Sequence, residues 1–235
     1  MIFNKSKKIV LEVFSPNGQL IDLFPPKKSN TVQPNWFKEL SKENSFGSSS
    51  VLTVKNCPGI KDLYSSAITI PSWADYSITV ETDKSINIDS PMEIPGGHSS
   101  VHRLGIQAPN AWPNYANVKF ISPWKFYCSD PIKWMWVPAT WDNHNPCEYQ
   151  VIPGMLEFKA QHESNISALF PFKTHTYTVN IKAGDALAYL VPITERPWDI
   201  EIKMLTPEEW SRKIATWTHS FDFLYQRTRA ILNKK

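Results

Sequence analysis

Two groups of side chains in this sequence are of types that do chemistry. The first could bind metal. Gly96-Gly97-His98-Ser99-Ser100-Val101-His102 sets two imidazoles four residues apart behind a Gly pair, and His162-Glu163 and His175 add further ligand types. Iron, manganese or zinc on a β-scaffold needs two or three His and a carboxylate converging from neighbouring strands. The spacing here matches no defined ligand motif, and 6 His in 235 residues is an ordinary load. Solvated or structural imidazoles and no cofactor are therefore expected. The alternative is a divalent metal held by His98, His102, His162, Glu163 and His175, as in a metal-dependent oxygenase.

The second group could bind a small molecule or a glycan. Trp134 and Trp136 stand in the run Ile132-Lys133-Trp134-Met135-Trp136-Val137, and Trp141-Asp142-Asn143-His144-Asn145 is a polar loop with an aromatic flank. An indole offers a flat apolar face with one N–H, so Trp134, Trp136 or Trp141 could stack on a sugar ring while Asp142 or His144 takes its hydroxyls. The competing reading makes the first two core residues and the loop a plain surface turn. No paired carboxylates stand out: Asp75, Asp83, Asp89 and Glu93 are dispersed. Neither a G-x-S-x-G elbow nor a phosphate-binding Gly loop appears.

The bulk properties narrow the classes. A net charge of +3 is too mild to predict a nucleic-acid partner. No run of about 18 apolar residues exists to span a membrane. The opening Met1-Ile2-Phe3-Asn4-Lys5 lacks a signal-peptide core. Cys57, Cys128 and Cys147 form neither a disulfide framework nor a CxxC site, so reduced thiols and a cytoplasmic location are expected.

The elements that must carry these residues read as mainly β. Nineteen Pro against 8 Gly break the chain into short segments. Lys8–Phe14 and Gln19–Phe24 read as two strands about an Asn17-Gly18 hairpin turn. Residues 34–43 suit a short helix, 45–50 a Ser-rich loop, and 57–64 one or two helical turns. Period-two alternation then marks Tyr76–Thr82 and Trp198–Met204, Ile166–Phe172 reads as a mostly apolar strand, and Tyr177–Ile181 and Ala186–Val191 flank a turn, with further candidates, among them Val101–Gln107 and Val118–Ile121. Lys182-Ala183-Gly184-Asp185 supplies a turn in which Gly tolerates positive φ and Asp caps its own backbone. A single-domain sandwich, jelly roll or β-roll is predicted over 51–205, behind an N-terminal hairpin and irregular segment at 1–50. Thr206-Pro207-Glu208-Glu209 is a capping box with Pro at the first helical position. Behind it Trp210, Ile214, Trp217, Phe221, Leu224 and Ile231 form one apolar stripe, predicting a long C-terminal amphipathic helix over 206–232.

The segment Pro153–Pro192 is similar in geometry to the closing part of a deoxyuridine-triphosphatase-type β-roll, with Glu157 near that family's acid and Gly184-Asp185 at its turn. The second acid, the Tyr and the following Gly are missing. Cupin-type rolls share the turn but carry an H-x-H pair that this chain lacks. Over residues 55–230 the chain resembles an uncharacterised family of bacterial and tailed-phage proteins that is defined only as a domain of unknown function. The resemblance rests on Cys57-Pro58-Gly59-Ile60, Ile68–Pro71 leading to Trp73, Phe120-Ile121-Ser122-Pro123-Trp124, Leu169-Phe170-Pro171-Phe172, the Gly184-Asp185 turn, Val191-Pro192 and the Trp-rich terminal segment. It implies a β-roll with a C-terminal helix and a viral source, and no activity. The leading expectation is thus a non-catalytic binding or assembly protein, possible as a homo-oligomer.

Overall fold

The computed structural model describes residues 8–90, 98–102, 112–142, 148–159 and 165–212. The described chain is mainly β. It opens with β1 (Ile9–Ser15), α1 (Gly18–Leu23), β2 (Lys27–Lys28), α2 (Asn35–Glu39), β3 (Glu43–Phe46), β4 (Ser49–Leu52) and α3 (Pro58–Ser66). Strands then follow one another: β5 (Ile68–Pro71), β6 (Tyr76–Val80), β7 (Ile86–Asp89), β8 (His98–His102), β9 (Tyr115–Ile121), β10 (Lys125–Cys128) and β11 (Trp134–Pro138). The last are β12 (Gln150–Val151), β13 (Gly154–Leu156), β14 (Ile166–Pro171), β15 (Tyr177–Ile181), β16 (Ala186–Pro192) and β17 (Trp198–Met204).

Alternation is visible where a strand covers the core with one face. In β6, Tyr76, Ile78 and Val80 are buried while Ser77 and Thr79 are not, and β14 buries Ile166, Ala168 and Phe170 in the same way. The strands pair into five sheets, ordered β10-β1-β17, β13-β11-β16-β5-β2, β12-β14-β9-β8, β15-β6-β7 and β3-β4. Among the described strands every pairing is antiparallel except one: the first runs parallel to the last, Ile9 opposite Trp198 through Ser15 opposite Met204. Among the described residues no sheet closes into a barrel.

Four of these sheets feed one interior. Ile9, Leu11 and Val13 of β1 meet Ile68, Ile70, Ile78, Val118, Phe126, Ala168, Val179 and Leu190 in it. Its aromatic centre stacks Phe126 on Phe158, 5.0 Å apart, with Trp134 6.1 Å from both Phe158 and Trp198. A second, smaller cluster lies on the other face of the five-stranded sheet. There Phe37 of α2 and Ile60 and Tyr64 of α3 cover Tyr189 of β16. Strand β16 therefore buries both faces, sending Leu190 and Ala188 to the main core and Tyr189 to the small one.

Several expectations are corrected. Asn17-Gly18 turns no hairpin: Asn17 caps α1, its side-chain oxygen accepting from Leu20 N at 3.2 Å, and residues 18–23 are helical. Asn suits an N-cap as well as a hairpin turn, and β1 already has partners on both edges. The Ser-rich stretch is not a loop but the β3–β4 hairpin, turning at Gly47 (φ +62°) and Ser48. Pro58-started α3 and the short helix α2 agree with the sequence. The capping box is in place, with Glu209 N donating to Thr206 Oγ1 at 3.2 Å and the Glu209 carboxylate accepting from Thr206 N at 2.9 Å. Residues 207–212 are helical, and the rest of the predicted long helix, 213–232, lies outside the described residues, as do 103–107 of the predicted strand Val101–Gln107. No helix among the described residues is long and apolar enough to cross a membrane.

Candidate functional site

The helical face of the five-stranded sheet carries a cleft of about 230 Å3. Its floor is Thr69 and Pro71 of β5 and Ala186 of β16, and the segment joining α1 to β2 walls it with Leu23, Phe24, Pro25 and Lys27. Pro34, just before α2, adds another apolar wall. Two carboxylates complete the lining, Asp142 and Asp185.

Each carboxylate is placed by a turn. Asp185 ends the segment Lys182–Asp185, where Gly184 sits at φ +93°, a conformation a side chain would strain. The Asp185 carboxylate accepts from Lys182 N at 2.8 Å, the self-capping expected from the sequence. Ser72 locks the turn from β5, donating N–H to Asp185 O at 2.7 Å and accepting from Gly184 N at 2.8 Å. Asp75 holds it from the other side, accepting from Ala183 N at 2.8 Å. That hydrogen bond, aided by nearby Lys182, keeps the Asp75 carboxyl below its usual range.

Asp142 sits in the turn after β11, its N–H donating to Ala139 O at 3.0 Å. The Tyr64 hydroxyl donates to its carboxylate at 2.6 Å from α3. Tyr189, shut off from solvent, faces the same hydroxyl and carboxylate. Burial first, and then the Asp142 carboxylate, push both phenols well above their ordinary range. Both remain neutral at physiological pH.

Beside the cleft stand two exposed indoles. Trp36 of α2 donates its Nε1–H to Trp141 O at 3.0 Å, and the two rings lie 6.2 Å apart, tilted by 35°. They are 40% and 38% exposed. A run of ring contacts ties them to the sheet: Trp36 meets Phe37 edge-on at 5.5 Å, Phe37 lies 4.9 Å from Tyr64, and Tyr64 lies 6.1 Å from Tyr189.

The residues singled out from the sequence fare differently. Asp142 lines the cleft and its neighbour Trp141 stands beside it, while His144 lies outside the described residues. Trp134 and Trp136 are core residues, 0% and 4% exposed, and offer no stacking face to a ligand. A central antiparallel strand points alternate side chains inward, and both indoles take the inward positions of β11. His98 and His102 occupy the two ends of β8. Four residues along a strand separate Cα atoms by roughly 13 Å, whereas the same spacing on a helix would bring them together. His175 is exposed beside the Tyr177 ring, and His162 and Glu163 lie outside the described residues. Among the described residues no three His, Cys, Asp or Glu gather to hold a metal ion. Cys57 is exposed and Cys128 buried, both reduced.

Trp36 and Lys27 were missed in the sequence. The one available signal was the adjacent Trp36-Phe37 in a short helix: neighbouring residues point apart, so one of two large aromatics had to face outward. Chemically the cleft offers acceptors, one ammonium and apolar walls, and among its described lining residues there is no imidazole or thiol. Neither protein-family models nor curated proteins match the chain.

Proposed function

We propose that this chain is a non-catalytic carbohydrate-binding protein, in which the Trp36 and Trp141 indoles stack on a sugar ring and Asp142 and Asp185 accept from its hydroxyls. The observation that carries the reading is the Trp36–Trp141 pair, hydrogen-bonded to each other, exposed together and set beside a cleft of convergent polar groups. Core packing accounts for Trp73, Trp124, Trp134 and Trp136. It does not account for two indoles held side by side in water. The resemblance to bacterial and tailed-phage proteins supports a bacterial or phage-encoded origin.

Titration with a glycan panel, followed by tryptophan fluorescence, tests this. Binding that perturbs the fluorescence and weakens about thirtyfold in Trp36→Ala or Trp141→Ala is expected, since a central aromatic anchor carries about 2 kcal/mol. A flat response to every glycan overturns it.

An assembly role is a second reading, favoured by the β3–β4 hairpin. Val51 and Leu52 are exposed there, Leu52 by 68%, on a two-stranded ribbon whose edges, among the described residues, pair with no other sheet. Light scattering on the wild type and Leu52→Asp tests it. A dimer or larger species that the substitution dissociates supports it, and a wild-type monomer at all concentrations rejects it.

A further inference from the structure

We propose that β17 is a docking edge for a second copy of this chain, the two β17 strands pairing antiparallel about a twofold axis at Ile202 so that their sheets continue into one. This surface is independent of the cleft and of the β3–β4 hairpin. Strand length is the first observation. β17 spans seven residues, Trp198–Met204, and ends its sheet in the order β10-β1-β17. Among the described residues the other sheet edges are strands of two to five residues, the short edges that keep chains from pairing with one another. β17 has neither a bulge in its register with β1 nor a proline between Pro197 and Pro207 to blunt it.

The ladder to β1 shows which backbone groups are left over. Ile9 N–H donates to Pro197 O at 2.9 Å and Leu205 N–H to Ser15 O at 3.1 Å, so the odd-numbered residues of β17 turn their N–H and C=O toward β1. Trp198, Ile200, Ile202 and Met204 turn theirs to the outer edge. Among the described residues only the Ile200 N–H has a partner there, the Asp199 carboxylate at 3.0 Å. The side chains choose the register. An axis at Ile202 sets Ile202 against itself, Ile200 against Met204, which is 65% exposed in one copy, and Glu201 against Lys203 on both sides of the axis. Within one copy Glu201 stands directly opposite Glu12, and Lys203 serves both carboxylates, 3.2 Å from that of Glu201. The second copy's Lys203 gives Glu201 a cation of its own. An axis at Glu201 or at Lys203 opposes that residue to itself, and one at Ile200 opposes Asp199 to Glu201. Like charges directly opposite are destabilising, so Ile202 is the axis that makes this edge self-complementary, as a twofold contact must be.

Sedimentation velocity of the whole chain over a concentration series tests this. The wild type is expected to pass from monomer to dimer. Met204→Pro removes an outward N–H that serves nothing within the chain, together with an exposed side chain, and is expected to leave a folded monomer. Lys203→Glu is expected to weaken the dimer about tenfold or more. Combining Glu201→Lys with Lys203→Glu is expected to restore it, because the two positions face each other across the axis. Leu52→Asp, on the separate hairpin, is expected to leave the dimer intact. A wild-type monomer throughout the series overturns the proposal. So does a dimer that persists in Met204→Pro, that Leu52→Asp dissociates, or that the exchange of charges fails to restore, with the folding of each variant verified by circular dichroism.

Discussion

The two faces of the five-stranded sheet are built to different rules. Toward the main core, β16 and β11 present Ala188, Leu190, Trp134 and Trp136, which meet aliphatic chains and aromatic rings from three other sheets. Toward the helices, the same β16 presents Tyr189, which meets a phenol and a carboxylate under a thin cover of α2 and α3. The first face has many apolar neighbours and, among the described core residues, no charge. The second has a five-residue helix, a nine-residue helix and a cleft. A strand sandwiched between them can hold the second face still because the first is close-packed, and polar chemistry is placed where it borders water.

Substitutions on the two faces should separate these roles. The largest effect is expected in the main core: Phe126→Ala, which empties the stack on Phe158, should destabilise the fold by about 3–5 kcal/mol in denaturant unfolding. A loss below about 1 kcal/mol would show that the interior is not the close-packed support described. On the other face, Trp141→Ala should cost about 2 kcal/mol of glycan affinity while leaving the unfolding midpoint nearly unchanged. A comparable loss of stability and affinity would erase the distinction between the faces.

Next in size is Tyr64→Phe, which leaves the Asp142 carboxylate without that donor and should destabilise by about 1–2 kcal/mol. The phenols also make the helical face sensitive to alkali. Their folded values are raised above the ordinary 10.0, so the unfolded chain loses these protons first. Their contribution is complete below about pH 10 and falls as pH rises through and beyond it. Phenolate absorbance during alkaline titration should show Tyr64 and Tyr189 ionising only with unfolding, whereas half-buried Tyr177, pushed up to about 12 chiefly by burial, should ionise earlier. Tyr189→Phe should flatten the alkaline loss of stability.

The smallest effect belongs to the surface that joins the chain's two described ends. Asp199 of β17 pairs with Lys8 and with Lys28 at 2.9 Å, and those ammonium groups hold its carboxyl well below the usual 3.8. Its contribution is present above about pH 4 and disappears as pH falls through the lowered folded value. The pair is substantially exposed, so Asp199→Asn should change stability by less than about 1 kcal/mol at neutral pH and flatten the acid limb of the stability curve. An unchanged acid limb would show that the Lys8–Asp199–Lys28 cluster contributes nothing measurable.

What could be read from the residues alone divides along a physical line. Period-two burial is a property of a strand and its own face, so Tyr76–Val80 and the Lys182–Asp185 turn were legible one segment at a time. Cap chemistry is equally local, and Thr206–Glu209 was correctly anticipated. Asn17-Gly18 was misread because the same two residues serve a hairpin turn and a helix start, and only the parallel partner of β1, almost two hundred residues away, decides between them. Trp134 and Trp136 looked like Trp141 in sequence. Their burial depends on which side of β11 meets the other sheets, which the run Ile132–Val137 does not record.

Composition and alternation by themselves determined that this protein is mainly β, with an aromatic interior and short Pro-broken segments, because each of those properties is expressed within a few residues. The tertiary structure alone decided the cleft. Trp36 meets Trp141 across 105 positions and Tyr64 meets Asp142 across 78, and contacts of that separation exist only after the sheets have paired and the helices have closed over them. No local pattern encodes such a meeting, since neither partner's neighbours in the chain change whether or not it occurs.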